Sequence, residues 1–138
     1  MVDRRIIAEK VDTVERSLRR IGERRGKSRD EFLADHDRQD IVLLHLMQAI
    51  QGCIDLAAHV VSEREMGLAG STRDFFHILC DKQIMSADLC EKMICAVGFR
   101  NLVAHEYAKL DLTKVYTFAT DGLVDIEEFL GVIVRQFA

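Results

Sequence analysis

The chain contains no proline at all. Proline favours tight turns and protects edge strands, and inside a helix it costs about 3 kcal/mol. A sequence of 138 residues that never uses it, and has only eight glycines, predicts a few long helices joined by short loops. With 49% of its residues hydrophobic it can build one core, and its length fits a single domain over 1–138. It shows no alternating strand pattern, internal repeat or low-complexity segment.

Ile7, Val11, Val14, Leu18 and Ile21 recur at helical spacing and predict a first helix over 3–24. Gly26-Lys27-Ser28 interrupts it, and Ser28 followed by Glu31 resembles a capping box that opens a short helical turn. The longest helix is expected over 37–64, ending near Gly67 and Gly70. Ser71 is expected to cap a third helix over 72–83, and Ser86 a fourth over 87–109, with Asp88 in its first turn suiting the helix dipole. A short piece follows around Val115 and Tyr116, then a last helix over 123–137. Long helices with short connections pack as an all-α antiparallel bundle, here of about five helices.

Nineteen basic residues face 23 acidic ones. That balance argues against coating nucleic acid by charge alone, but it permits a local patch. Arg16, Arg19, Arg20, Arg24, Arg25, Lys27 and Arg29 form such a stretch, offset nearby by Glu15 and Glu23. It reads either as a solvated face or as an RNA contact. The charged start (Asp3, Arg4, Arg5) predicts no signal peptide, and no apolar run reaches the roughly 18 residues of a membrane span. Cys53, Cys80, Cys90 and Cys95 lack Cys-x-x-Cys spacing and read as reduced core residues. Together these features predict a cytoplasmic protein without a membrane segment.

The fourth helix is apolar nearly all round, yet it carries Arg100, Asn101, His105 and Tyr107. On a wheel of 100° per residue the four share an arc of roughly 160°. A guanidinium is rarely buried alone, because desolvation costs several kcal/mol. The arc therefore predicts a wet groove, a polar partner or a subunit interface. The plain alternative is an Arg and a His satisfied at a helix end, with Tyr107 covering the core.

Arg100, four residues, His105, one residue, Tyr107 resembles the signature of HEPN-domain ribonucleases, and specifically of HepT toxins. Asn101 directly after the Arg fits that pattern. So do Asp111, Val115-Tyr116, and Ile54-Asp55 with Ala57 and His59. The resemblance spans nearly the whole chain, and it implies a HEPN-like helical fold. It also implies a toxin that cuts RNA, tRNA among the candidates, without a metal or other cofactor. Its implied partner is a minimal nucleotidyltransferase antitoxin of the MntA type, which silences the toxin by attaching AMP to Tyr107. An attached nucleotide would bring bulk and negative charge beside Arg100.

The residue types suit that chemistry. RNA supplies its own nucleophile, the 2′-OH. His105 can serve as acid or base, the role most often given to a histidine in proton transfer. Arg100 can hold a charged phosphorane through several donors. Asn101 lies one helical turn before His105 and is expected to orient it. Arg100 and His105, however, stand roughly 140° apart on a straight helix. One chain alone points them in different directions, which predicts a homodimer with the motif at its two-fold cleft.

His45, Gln48, Gly52, Asp55, His59 and Ser62 form a polar stripe on the second helix, within about 100° of one another. It reads as a solvent face, or as a second wall of an RNA groove in which Asp55, His59 and Gln48 support Arg100 or touch RNA. Gly52 would admit a close neighbour, and Asp55 and His59 are spaced to pair. A metal site from Asp55, His59 and His105 is the weakest reading, because the Glu-x-x-His pattern of di-iron bundles is absent. His36 and His77 belong to no constellation. The alternative to an enzyme is a non-catalytic helical partner of a nucleotidyltransferase.

Overall fold

The structure is a computed structural model, and it describes residues 2–138. Every regular element among the described residues is a helix, with no strand among them. Helix α1 (Arg4–Arg24) starts at Asp3, whose carboxylate accepts from the backbone N–H of Arg5 and Ile6. Its buried face is the expected stripe of Ile7, Val11, Val14, Leu18 and Ile21. The short α2 (Arg29–Leu33) is capped by Ser28 Oγ, which accepts from Glu31 N–H at 3.1 Å. Glu31 reaches back to Lys27 N–H at 3.0 Å, one residue earlier than the usual reciprocal partner.

Helix α3 (His36–Glu63) is the spine. An 18-residue window within it has mean hydropathy 1.6, long and apolar enough to cross a membrane by composition. That corrects the sequence estimate, and the packing explains the apolarity. α1, α2, α4, α5 and α7 all lie against α3, and Leu46, Ile50, Leu56 and Val60 are fully or almost fully buried. α1 runs antiparallel to α3, since Val14 meets Gly52 while Lys10 meets Asp55. A Cβ at Gly52 would overlap Val14 Cγ2, so the close neighbour that this glycine admits is α1.

Helix α4 (Thr72–Asp81) follows Ser71, but the Ser71 side chain makes no capping bond. Asp74 instead accepts from Gly70 N–H at 2.8 Å and holds the entry turn. Helix α5 (Ala87–His105) starts at Ser86, whose Oγ accepts from Leu89 N–H. It ends four residues before the expected 109. Glu106 leaves helical geometry at φ −134°, ψ 39°, and a 3-10 turn, Tyr107–Lys109, follows. Its exposed end has no apolar face to keep the helix going.

The expected short piece and last helix are one unbroken helical segment. α6 (Leu112–Thr117) passes through a π turn, Phe118–Gly122, into α7 (Leu123–Phe137). A Cβ at Gly122 would press on the Phe118 ring at 2.9 Å, so the wide turn needs glycine there. Phe118 in turn stacks on Phe99 of α5, with centroids 4.7 Å apart. Arg25 donates to the Ala119 carbonyl at 2.8 Å and ties the end of α1 to the π turn. Phe76 and Phe129 meet edge to face in the core beside Met93 and Ile126.

The cysteines divide. Cys53 and Cys90 are buried, Cys80 is half-buried, and Cys95 is exposed, which corrects the expectation of four core residues. Burial pushes the Cys53 thiol far up, and burial with Cys80 beside it pushes Cys90 up to about 11, so both stay protonated.

Candidate active site

Helices α1, α3 and α5 enclose an open groove of about 810 Å³. α5 supplies Arg100 at its back. The guanidinium is half-buried and donates twice, through Nη2 to Gln51 Oε1 and through Nη1 to Asn101 Oδ1, each at 3.0 Å. Gln51 passes the order on, donating from Nε2 to Asp55 Oδ1 at 2.9 Å. Asp55 Oδ2 faces Lys10 Nζ at 3.8 Å. The polar relay thus runs Asn101, Arg100, Gln51, Asp55, Lys10 across three helices. It settles how a half-buried cation survives: two neutral oxygens hold it, and its positive charge is left for a ligand.

The groove is basic in a chain of net charge −4. Lys10, Arg16, Arg20 and Arg100 line it, against Asp55 as its acidic member. Among the described residues Arg16 and Arg20 pair only with exposed carboxylates on their own helix, Asp12 and Glu23. Such exposed pairs contribute little and leave both side chains free to turn to an anion. The expected basic stretch is therefore split. Arg16 and Arg20 reach the groove, Arg25 is engaged by Ala119, and Arg19 lies in a different depression beside Glu15 and Glu127.

Gln48 lines the groove and bonds His45 at 3.1 Å. His59 does not line it, and its Nε2 is buried with no hydrogen-bond partner among the described residues. Asp55 bonds Gln51 and Lys10, so the expected Asp55–His59 pair does not form. Among the described residues no three His, Cys, Asp or Glu side chains converge on one point, so Asp55, His59 and His105 share no ligand geometry.

At the other end of the motif, His105 is the last residue of α5 and is exposed. It makes no hydrogen bond among the described residues, and Asn101 serves Arg100 rather than His105. Tyr107 stands beyond the helix, 56% exposed, so the wheel position expected for it does not apply. Its Oη donates to Asp40 Oδ1 at 3.0 Å, and that bond is the main cause that holds the phenol pKa above the ordinary tyrosine value. Apolar surface accompanies the site. Leu44, 54% exposed, lines the groove beside Met47 and Ala104, and Leu102 is 43% exposed near the end of α5.

Gln51, Lys10 and Asp40 were not among the expected residues. Gln51 sits about 20° outside the polar stripe of the second helix, and four residues before Asp55, so it was within reach. Lys10, Thr13, Ser17 and Arg20 repeat at spacings of 3, 4 and 3, a helical signal hidden by the denser arginine run that follows. Asp40 lies 67 residues from Tyr107, and no local pattern announces such a contact.

An all-helical bundle that sets Arg100 and His105 on one helix, with Tyr107 just past its end, defines the class, and comparison with known proteins gives the family. A family model described as ribonuclease HepT-like matches residues 14–133. The mRNA nuclease HepT of Shewanella oneidensis is 33% identical over 131 residues, which span 95% of this chain and 98% of that protein. The fold matches the tri-AMPylated HEPN toxin of Shewanella oneidensis, solved in complex with its MNT antitoxin, with TM-score 0.90 and 32% identity, over 95% and 98% of the two chains. A toxin–antitoxin structure with AMP-PNP matches with TM-score 0.90 at 31% identity, over 95% and 98%. Bacillus subtilis YutE, at 16% identity and TM-score 0.83 over 97% and 90%, shares the fold. The chain belongs to the HepT-like ribonuclease family.

Proposed function

We propose that this protein is a toxin of a toxin–antitoxin pair, a metal-independent endoribonuclease that acts on cytoplasmic RNA as a homodimer. The observation that carries the reading is Arg100, held in a basic groove by two neutral oxygens, with His105, which makes no hydrogen bond among the described residues, at the exposed end of the same helix. A docking surface for another protein does not require a free acid-base group beside a fixed phosphate binder. In the proposed reaction His105 handles the proton exchanged with the 2′-OH or the leaving oxygen. Arg100 holds the phosphate as charge builds on it, and Lys10, Arg16 and Arg20 lead the backbone into the groove.

Each chain supplies half of the site. Arg100 faces the groove and His105 faces solvent, and a second copy on the apolar rim around Leu44 would bring its His105 to the first chain's Arg100. Silencing follows the relatives. An MNT-type nucleotidyltransferase antitoxin places AMP on Tyr107, two residues past His105, and the bulk and negative charge close the site to RNA.

The test is cleavage of RNA with EDTA present, wild type against His105→Ala. Chelator-resistant cleavage that His105→Ala loses is the expected result. Cleavage that survives the substitution, or vanishes with the metal, sinks the reading.

A further inference from the structure

Tyr107 leaves α5 and is met by α3. Its hydroxyl donates to Asp40 Oδ1 at 3.0 Å, which ties the turn after α5 to the first turns of the spine. Asp40 is exposed and pairs with no cation among the described residues, so its carboxylate is engaged by this phenol alone. The pair stands at a groove of about 270 Å³ lined by His36, Gln39, Leu43, Ala108, Leu110 and Leu112. The phenol is thus reachable from outside and oriented from inside. It is also a poor nucleophile as it stands, because the bond to Asp40 keeps its proton in place near neutral pH. A hydroxyl in that state needs a base that takes the proton as it attacks.

We propose that Asp40 orients the Tyr107 hydroxyl and takes up its proton when that hydroxyl accepts a nucleotidyl group. The inference rests on Tyr107 being the acceptor, as proposed above. In the step, Tyr107 Oη attacks the α-phosphorus of a nucleoside triphosphate held by the partner transferase. The new Oη–P bond forms as the bond from the α-phosphorus to the bridging oxygen breaks, and pyrophosphate leaves with that electron pair. The proton passes to Asp40 Oδ1 and from there to water. The product loses the hydrogen bond to α3, and a phosphodiester anion then faces the Asp40 carboxylate. The turn that follows His105 is released from α3 by the same event that charges it.

The test uses the full chain with an MNT-type transferase that modifies the wild type, ATP and magnesium, with intact mass followed in time across pH. Tyr107→Phe takes up no nucleotide if the acceptor reading holds, and uptake by this variant at the wild-type rate overturns that reading itself. Asp40→Asn keeps an oxygen to accept the phenol but cannot hold its proton. It slows uptake by about 100-fold near neutrality, and the gap narrows as pH rises toward the phenol's own titration. Asp40→Glu restores part of the rate. Wild-type uptake by Asp40→Asn, with Tyr107→Phe inert, overturns the role of Asp40 and leaves the acceptor standing. A loss that is the same at every pH, and as deep in Asp40→Glu, makes the contact structural and also overturns it. Thermal melting and size in solution check that each variant is folded.

Discussion

The two ends of the motif are built in opposite ways. Arg100 is half-buried at the back of a groove and held by oxygens from two helices. His105, little more than one helical turn later, is exposed and makes no hydrogen bond among the described residues. Fixing the cation makes sense, because a preorganised donor costs no rearrangement when charge develops on a phosphate. Leaving the histidine bare in the same active site makes sense only if something outside this chain completes its surroundings. The difference between the ends supports the proposal that the single chain holds half of a site, finished by a second copy.

The sharpest way to break that comparison is complementation. His105→Ala is expected to lower RNA cleavage about a thousandfold with little change in melting temperature, since the side chain is exposed. Arg100→Ala should be at least as severe. Mixed and refolded together, the two dead variants form some heterodimers with one site rebuilt from the intact Arg100 of one chain and the intact His105 of the other. About one quarter of wild-type cleavage should return, from half of the dimers with one of two sites restored. If mixing restores nothing while heterodimers are seen by native mass spectrometry, each chain uses its own pair and the composite site is wrong.

The next prediction concerns the fixed end. Gln51→Leu removes the acceptor for Arg100 Nη2 and the donor to Asp55. Cleavage should fall about tenfold, the scale of one hydrogen bond to a charged group, with His105 untouched. Gln48→Leu, which breaks only the contact to His45, should cost much less. Equal losses would mean that the relay through Gln51 does not hold Arg100. Smaller again is the effect of the groove walls. Reversing Lys10 or Arg20 to Glu should weaken RNA binding and reduce the dependence of log affinity on log salt by about one unit per lost phosphate contact. Arg19→Glu, outside the groove, is the control that should leave that slope alone.

Much of this was legible in the sequence, and the gaps have physical causes. The α1 stripe, the Ser28 and Ser86 caps and the long α3 follow from periodicity and capping chemistry, which are local. The end of α5 was not legible, because Ala104, Glu106, Ala108 and Lys109 are good helix formers, and only the fold shows that residues 104–109 are exposed. The π turn was hidden for a similar reason. The last helix was expected to begin at 123, and the continuity through Gly122 shows only once the Phe118 ring is seen occupying the space of its missing Cβ. In the site, Arg100, Asn101, His105 and Tyr107 stood out as polar residues on an apolar helix. Their partners did not, since Gln51 and Asp40 lie 49 and 67 residues away and only packing brings them in. Asn101 shows the limit of spacing arguments. One turn before His105 it was expected to serve the histidine, yet it turns back to the neighbouring Arg100.

The smallest effect expected is spectroscopic, and it reports on the loose end alone. The chain has two tyrosines, so in Tyr116→Phe the absorbance change at high pH belongs to Tyr107. That phenol should titrate above the ordinary tyrosine range, because ionising it gives up the bond to Asp40 and sets two negative charges together. In Asp40→Ala the titration should drop back toward the ordinary value of about 10. A group whose folded pKa is raised lends stability that is fully present below its unfolded value and is lost as pH rises through its folded one. The turn after His105 should therefore hold to α3 at neutral pH and loosen only in strong alkali. Solvent screening keeps the amount small at so exposed a site. An unshifted Tyr107 in the parent chain would mean that the bond to Asp40 is not made in solution, and the exposed end of the motif would then be looser still than its contrast with Arg100 requires.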